Sequence, residues 1–148
     1  MARSYRTILL PLDGSAPSRR AAAEAIALAR RLEARIVAVH VGPLYEIRSR
    51  RTRRSAELLD AFEKKTRRKA EKLFSRLARQ CRSARIGCRC RLLWDPITAA
   101  AIARFAKRQR CGLIVMGSHG EGGMRRVLMG SIAQAVIAAS PVPVVVCR

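Results

Sequence analysis

The residues of this chain best suited to chemistry lie between positions 117 and 131. Gly117-Ser-His-Gly120 and Gly130-Ser131 bracket a gap of nine residues. Glycine lacks a Cβ, so its main chain can approach a ligand closely and turn N–H groups toward anionic oxygens. If Ser131 opens a helix, the unpaired amides of its first turn and the positive end of the helix dipole add to that attraction. Phosphate is the guest such a backbone fits. The spacing is not that of a P-loop, because no lysine follows the last glycine, and a dinucleotide fingerprint would follow the first strand instead. Two turns and a helix cap would use the same residue types, and the spacing by itself leaves that simpler reading open.

Asp13 is the second candidate. It follows the apolar run Thr7 to Leu12, and a carboxylate at the carboxyl end of a buried strand, opposite a glycine-rich loop, is better placed for ligand contact than for merely ending the strand. The two histidines carry less. His119 lies inside the glycine segment, but no nucleophile or third triad member accompanies it, so it reads as a loop residue rather than a general base. His40 ends an apolar strand and reads as a core histidine with its hydrogen bonds met. Ser15 and Ser18 read as helix caps.

These residues need elements to hold them, and the hydrophobic pattern supplies nine. Thr7–Leu12 and Leu113–Met116 are continuous apolar runs, as in strands buried on both faces. Ile36–Val41 is a further strand, closed by Gly42-Pro43. Ile86, Cys88, Cys90 and Leu92 alternate with Gly87, Arg89 and Arg91, the period of a strand with one charged face and so of a sheet edge. Val142–Cys147 is the last strand. Helical stripes run from Ser15 or Ser18 to about Leu32, from about Ser55 to Cys81, from Asp95-Pro96 through Phe105, and from Ser131 through Val136. The order βαβαβαβαβ implies one α/β domain over residues 1–148, a parallel sheet with helices on both faces. The connection from 118 to 130 is thirteen residues long, where roughly two to six are usual, and so calls for a purpose.

Composition narrows the function classes. In 148 residues there are 31 Lys+Arg against 10 Asp+Glu, a formal charge of +21, with 49% hydrophobic residues. That apolar content argues for a packed core rather than a disordered basic tail. Six aromatic residues are too few for a base-stacking surface of the kind single-strand binders use. Ile8–Leu12 is shorter than a signal-peptide core. Val127–Cys147 is uncharged and long enough to span a bilayer, but Gly130-Ser131, Gln134, Ser140, Pro141 and Pro143 break it into a helix and a strand. The five cysteines are odd in number and contain no CxxC, so reduced thiols in the cytoplasm are expected, with Cys88 and Cys90 as alternate residues of a strand rather than half a zinc site. The charge is concentrated: residues 43–91 hold 17 Lys+Arg and 5 Asp+Glu. Arg48, Arg50, Arg51, Arg53 and Arg54 precede the long helix, and the charge of this region forms either a solvated face or a polyanion-binding patch.

The spacing Gly117, Gly120, Gly130, Ser131 is the G-2x-G-9x-G-(S/T) motif of the ATP-binding class of universal stress proteins, and the chain resembles that family over nearly its whole length. The resemblance takes in Ile8-Leu-Leu-Pro-Leu-Asp-Gly-Ser15, His40-Val41, Asp95-Pro96, Leu113-Ile-Val-Met-Gly-Ser-His-Gly120 and Pro143-Val-Val-Val146. Trp94 departs from it, standing where the family usually has glycine, at the turn that leads to Asp95. The resemblance implies a five-stranded sheet of order 3-2-1-4-5 and an adenine nucleotide, ATP with Mg2+, as ligand. It implies that Asp13 accepts hydrogen bonds from ribose or adenine beside Pro11 and Leu12, and that Val41 touches the base. Met116, Gly117 and Gly120 would line the ribose and phosphate path, and Gly130, Ser131 and Ile132 would bind phosphates. It also implies a homodimer through antiparallel pairing of Val142–Val146 with its copy, which would cover an apolar edge that proteins seldom leave open. A stress-response regulator or sensor follows, a binder with at most slow ATP hydrolysis. The alternative is a basic polyanion- or nucleic-acid-binding protein with a vestigial nucleotide loop.

Overall fold

The computed structural model describes residues 5–44, 52–120 and 128–148. Strand and helix alternate along it as β1 (Thr7–Pro11), α1 (Ala16–Leu32), β2 (Arg35–Gly42), α2 (Arg53–Ser83), β3 (Cys88–Trp94), α3 (Thr98–Arg108), β4 (Leu113–Gly117), α4 (Ser131–Ala139) and β5 (Val144–Cys147). The strands form one parallel sheet in the order β3-β2-β1-β4-β5, as the sequence leads one to expect. β1 and β4 sit at its centre and are buried on both faces, which is why their sequences carry no polar alternation.

Two apolar layers flank the sheet. On one side Ile8, Leu10, Ile36, Ala38 and Val115 meet the alanines of α1 and Leu77 and Cys81 of α2. On the other, Leu9, Val37, Val39 and Ile114 meet Ile102 and Phe105 of α3 and Ala133 and Val136 of α4. The buried stripe of α1 is Ala21, Ala22, Ala25 and Ala29, and these small side chains let that helix lie close to the central strands.

Local chemistry sets the element ends. Ser15 caps α1, its hydroxyl accepting from the Ser18 amide at 3.2 Å, with Pro17 in the first turn. Thr52 and Ser55 form a reciprocal capping box that starts α2 two residues before the apolar stripe suggests. The alternation of β3 holds, with Cys88 and Cys90 half-buried between exposed Arg89 and Arg91. Its start falls later than expected because Ile86 turns back to the Cys81 carbonyl. β5 likewise begins at Val144 rather than Val142, since the Ser140 hydroxyl holds the Val142 main chain in a turn.

The third helix starts at Thr98, not at Asp95-Pro96. Asp95 accepts from the Ile97 amide at 2.8 Å and forms an ion pair with Arg104, so its role is local. Trp94 is accommodated by its ladder partner Gly42: a Cβ on that glycine would stand 2.8 Å from the indole and 2.9 Å from Thr66. Arg67 covers the indole at 5.4 Å.

At about 1.5 Å per residue, the 31 residues of α2 extend roughly 46 Å, against about 26 Å for the eight residues of β2. Every fully buried residue of α2 lies at Thr66 or beyond. Its first three turns and more therefore project past the carboxyl edge of the sheet. Among the described residues no helix is long and apolar enough to cross a membrane.

Candidate functional site

The carboxyl ends of β1, β2 and β4 open into a cavity of about 670 Å3, within the range typical of small-molecule sites. This is where a doubly wound sheet reverses its winding and where such sheets bind ligands. All ten residues expected at the site line it: Pro11, Leu12 and Asp13 from the end of β1, Val41 from β2, Met116, Gly117 and Gly120 from the end of β4, and Gly130, Ser131 and Ile132 at the start of α4.

The β1 end is fixed from two directions. The Leu12 amide donates to the Val39 carbonyl at 2.8 Å, extending the ladder one residue past the strand. The Leu12 carbonyl accepts from Nδ1 of buried His40 at 2.7 Å, so His40 has the core role its position suggests while also forming part of the cavity wall. Asp13 is held in turn. Its amide donates to the Ser18 hydroxyl at 3.2 Å, and its Oδ1 accepts from the Ser15 amide at 2.9 Å. A carboxylate set this way keeps lone pairs for a guest.

The glycines divide the work differently from what ligand approach alone would require. A Cβ on Gly117 would lie 2.8 Å from main-chain atoms of Pro17 and Ser18, so this position serves the close packing of α1 on β4. A Cβ on Gly120 would lie 2.9 Å from Oδ2 of Asp13, which brings the glycine segment and the carboxylate into contact. The Gly130 amide donates to the Ser118 carbonyl at 2.7 Å and so closes the base of the loop. That amide is engaged within the protein, and the donors left at the head of α4 are those of Ser131, Ile132 and Ala133. No side chain caps this helix among the described residues, and all three of these residues face the cavity. Residues 121–127, which include Arg125 and Arg126, lie outside the described residues.

Sequence reasoning missed one wall and one ring atom. Phe62, Lys65, Thr66 and Lys69 of α2 reach the cavity beside Val41 and Pro43. Helix length was the available signal, since a helix that overshoots its sheet on the ligand side must overhang the ligand edge. His119 hydrogen-bonds the Ser118 hydroxyl through Nδ1 at 2.7 Å, while its buried Nε2 has no hydrogen-bond partner among the described residues. The Ser15 hydroxyl donates to the His119 carbonyl at 3.3 Å and ties the two site loops together.

Comparison with known proteins agrees with this architecture. Residues 4–148 match the model of the universal stress protein family. A universal stress protein from Methanocaldococcus jannaschii is 31% identical over 144 residues, covering 97% of this chain and 82% of its own length. One from Thermus aquaticus is 32% identical over 145 residues, covering 97% and 99%. Among solved structures, a universal stress protein from Lactobacillus plantarum superposes with a TM-score of 0.77 at 26% identity over the full length of both chains. The fold is shared at lower identity by the Archaeoglobus fulgidus protein in complex with dAMP (20%, TM-score 0.69, covering 98% and 99%) and by an Arabidopsis thaliana protein with AMP bound (16%, TM-score 0.65, covering 95% and 90%). The chain belongs to the universal stress protein family.

Proposed function

We propose that this protein binds an adenine nucleotide, ATP with Mg2+, in the cavity at the carboxyl ends of β1, β2 and β4, and acts as a stress-response regulator through that binding. The observation that carries the reading is the convergence of Asp13 and the uncapped head of α4 on one cavity. Free amides and an orphaned imidazole nitrogen call for an oxygen-rich guest, and Asp13 calls for hydroxyl or amino groups. A nucleotide has both. The relatives solved with dAMP and AMP are in keeping with it.

On this reading the Ser131, Ile132 and Ala133 amides and the Ser131 hydroxyl hold the phosphates, and His119 Nε2 donates to one of their oxygens. Gly130 shapes the loop by closing it on Ser118. Asp13 accepts from the ribose or the base, Val41 and Pro11 pack on the adenine, and Met116 and Gly117 floor the path between. Among the described residues no group of three His, Cys, Asp or Glu is arranged to hold a metal, so Mg2+ arrives with the phosphates and keeps its own waters. Any hydrolysis is slow or depends on a partner. Free thiols at all five cysteines accord with a cytoplasmic setting.

Calorimetric titration with Mg-ATP tests the site. Wild type should bind, and both variants should weaken binding at least about tenfold, Asp13→Ala by the loss of roughly one charge-assisted hydrogen bond and Gly130→Val by pressing its side chain on the Ser118 carbonyl and opening the loop. Absence of wild-type binding, or equal binding by both variants, would sink the assignment. The basic surplus of α2 favours a second reading as a polyanion binder. A salt series with RNA separates the two, because that reading requires a steep slope that the site variants leave unchanged.

A further inference from the structure

Two thiols stand side by side at the amino end of the edge strand β3, whereas the nucleotide cavity opens at carboxyl ends. Cys88 and Cys90 are alternate residues of that strand, so both side chains leave the same face, toward the apolar layer of α1 and α2. Residues two apart on a strand keep their Cα atoms about 6.7 Å apart. The two sulfurs are only 3.9 Å apart, so the side chains lean toward each other. Both are free thiols, partly exposed, and neither lines the cavity.

We propose that Cys88 and Cys90 form a two-sulfur chelating site for a neutral trivalent arsenical. The spacing fits a bridge rather than a direct bond. A disulfide needs its sulfurs about 2.05 Å apart, and the ladder partners Ile36 and Ala38 hold both cysteines in extended backbone against that approach. An atom that bonds each sulfur at about 2.3 Å, the length of a zinc–thiolate bond, spans 3.9 Å at an angle of about 115°. A small side-chain rotation adjusts that angle to the guest.

Ligand number and charge choose between the thiophilic guests. A structural zinc ion takes four ligands. Among the described residues no group of three His, Cys, Asp or Glu is placed to hold a metal, although Cys81 is buried in the same layer. An arsenical with one organic substituent is complete with two sulfurs. Arg85, Arg89 and Arg91 are exposed around the pair, and the Arg91 guanidinium donates to the Cys90 carbonyl at 3.0 Å. Those cations repel a divalent ion and leave a neutral molecule unaffected.

The exchange balances without an oxidant. In water the arsenical carries its organic group and two hydroxyls on arsenic. One thiol sulfur attacks arsenic with its electron pair, an As–O bond breaks, and the departing hydroxyl takes up the thiol proton as water. The second sulfur repeats the step. Two As–S bonds have replaced two As–O bonds, two waters have left, arsenic is still trivalent, and neither sulfur has been oxidised.

Phenylarsine oxide is the probe. The reduced full-length protein is mixed with one equivalent in excess 2-mercaptoethanol, which displaces singly bound arsenic, and is weighed intact by native mass spectrometry. One phenylarsenic unit per chain is expected, released by dimercaptopropanol. Cys88→Ser and Cys90→Ser should each lower the affinity at least about a hundredfold, because the second As–S bond forms within the chain. Cys111→Ser and Cys147→Ser should keep it. No adduct on wild type, an adduct that survives in either of the first two variants, or protection of the pair from alkylation by Zn2+ as complete as that by the arsenical overturns the proposal. Should a variant fail to fold, the wild-type alkylation pattern decides, with Cys88 and Cys90 protected and Cys147 modified.

Discussion

At the scale of single residues, the glycines of the motif separate into positions that serve packing and positions that serve the site. Gly117 meets main-chain atoms of α1, which cannot move aside without displacing a helix. Gly117→Ala should therefore cost about 1–3 kcal/mol of stability, as overpacking does. Gly120 meets only a carboxylate oxygen of Asp13, and a side chain can rotate away. Gly120→Ala should leave the melting temperature within a few degrees and weaken Mg-ATP binding by turning Asp13 out of position. Chemical denaturation and calorimetry on the two variants check the contrast; equal stability losses would refute it. The motif was legible in the sequence as a spacing, and so was its place at the head of a helix. Which glycine touches what was not, because the contacts of Gly117 and Gly120 join residues about a hundred positions apart. Gly130 shows the same limit: its type suggested an amide for a ligand, and its amide closes a loop on Ser118.

At the scale of elements, which strands are central and which is a charged edge follows from patterns that need no tertiary knowledge, whereas the full order 3-2-1-4-5 comes from the family resemblance. The unbroken apolar runs of β1 and β4 mark central strands, and the Cys/Arg alternation of β3 marks an edge. Element ends were less legible, since Asp95 and Ser140 use their side chains on neighbouring backbone and displace α3 and β5 by two or three residues. The long helix α2 was legible as a stripe, and its cations as a solvated face or a polyanion-binding patch, but only its overhang placed Lys65 and Lys69 at the cavity. The helix thus divides its charge between a ligand wall and an outer face. Lys65→Ala should weaken Mg-ATP binding roughly two- to fivefold and flatten its salt dependence, the scale of an exposed charge pair. Arg68→Ala, on exposed helix surface outside the cavity lining, should change neither. Titrations at two ionic strengths decide it, and identical behaviour of the two variants would return Lys65 to the solvated face.

At the scale of the whole molecule, β5 is an edge of four half-buried residues, Val144 to Cys147, with no charge to discourage pairing. The carbonyls of Pro143 and Cys147 accept from the amides of Ile114 in β4 and of Ser118 just past it, so the odd residues turn their main chain inward. By strand alternation Val144 and Val146 turn their N–H and C=O groups outward, where a second copy can pair antiparallel about a two-fold axis. Ile137 of the neighbouring helix α4 is also exposed, at 45%. We therefore expect a homodimer with twice the 16.4 kDa chain mass in light scattering at micromolar concentration. Val144→Pro removes one outward donor at the first position of an edge strand, where proline leaves the inward ladder intact. That variant should scatter as a monomer while keeping its Mg-ATP affinity, because Val144 lies outside the cavity lining. A dimer that survives the substitution would assign the contact to another surface, and a wild-type monomer would leave β5 as a short open edge.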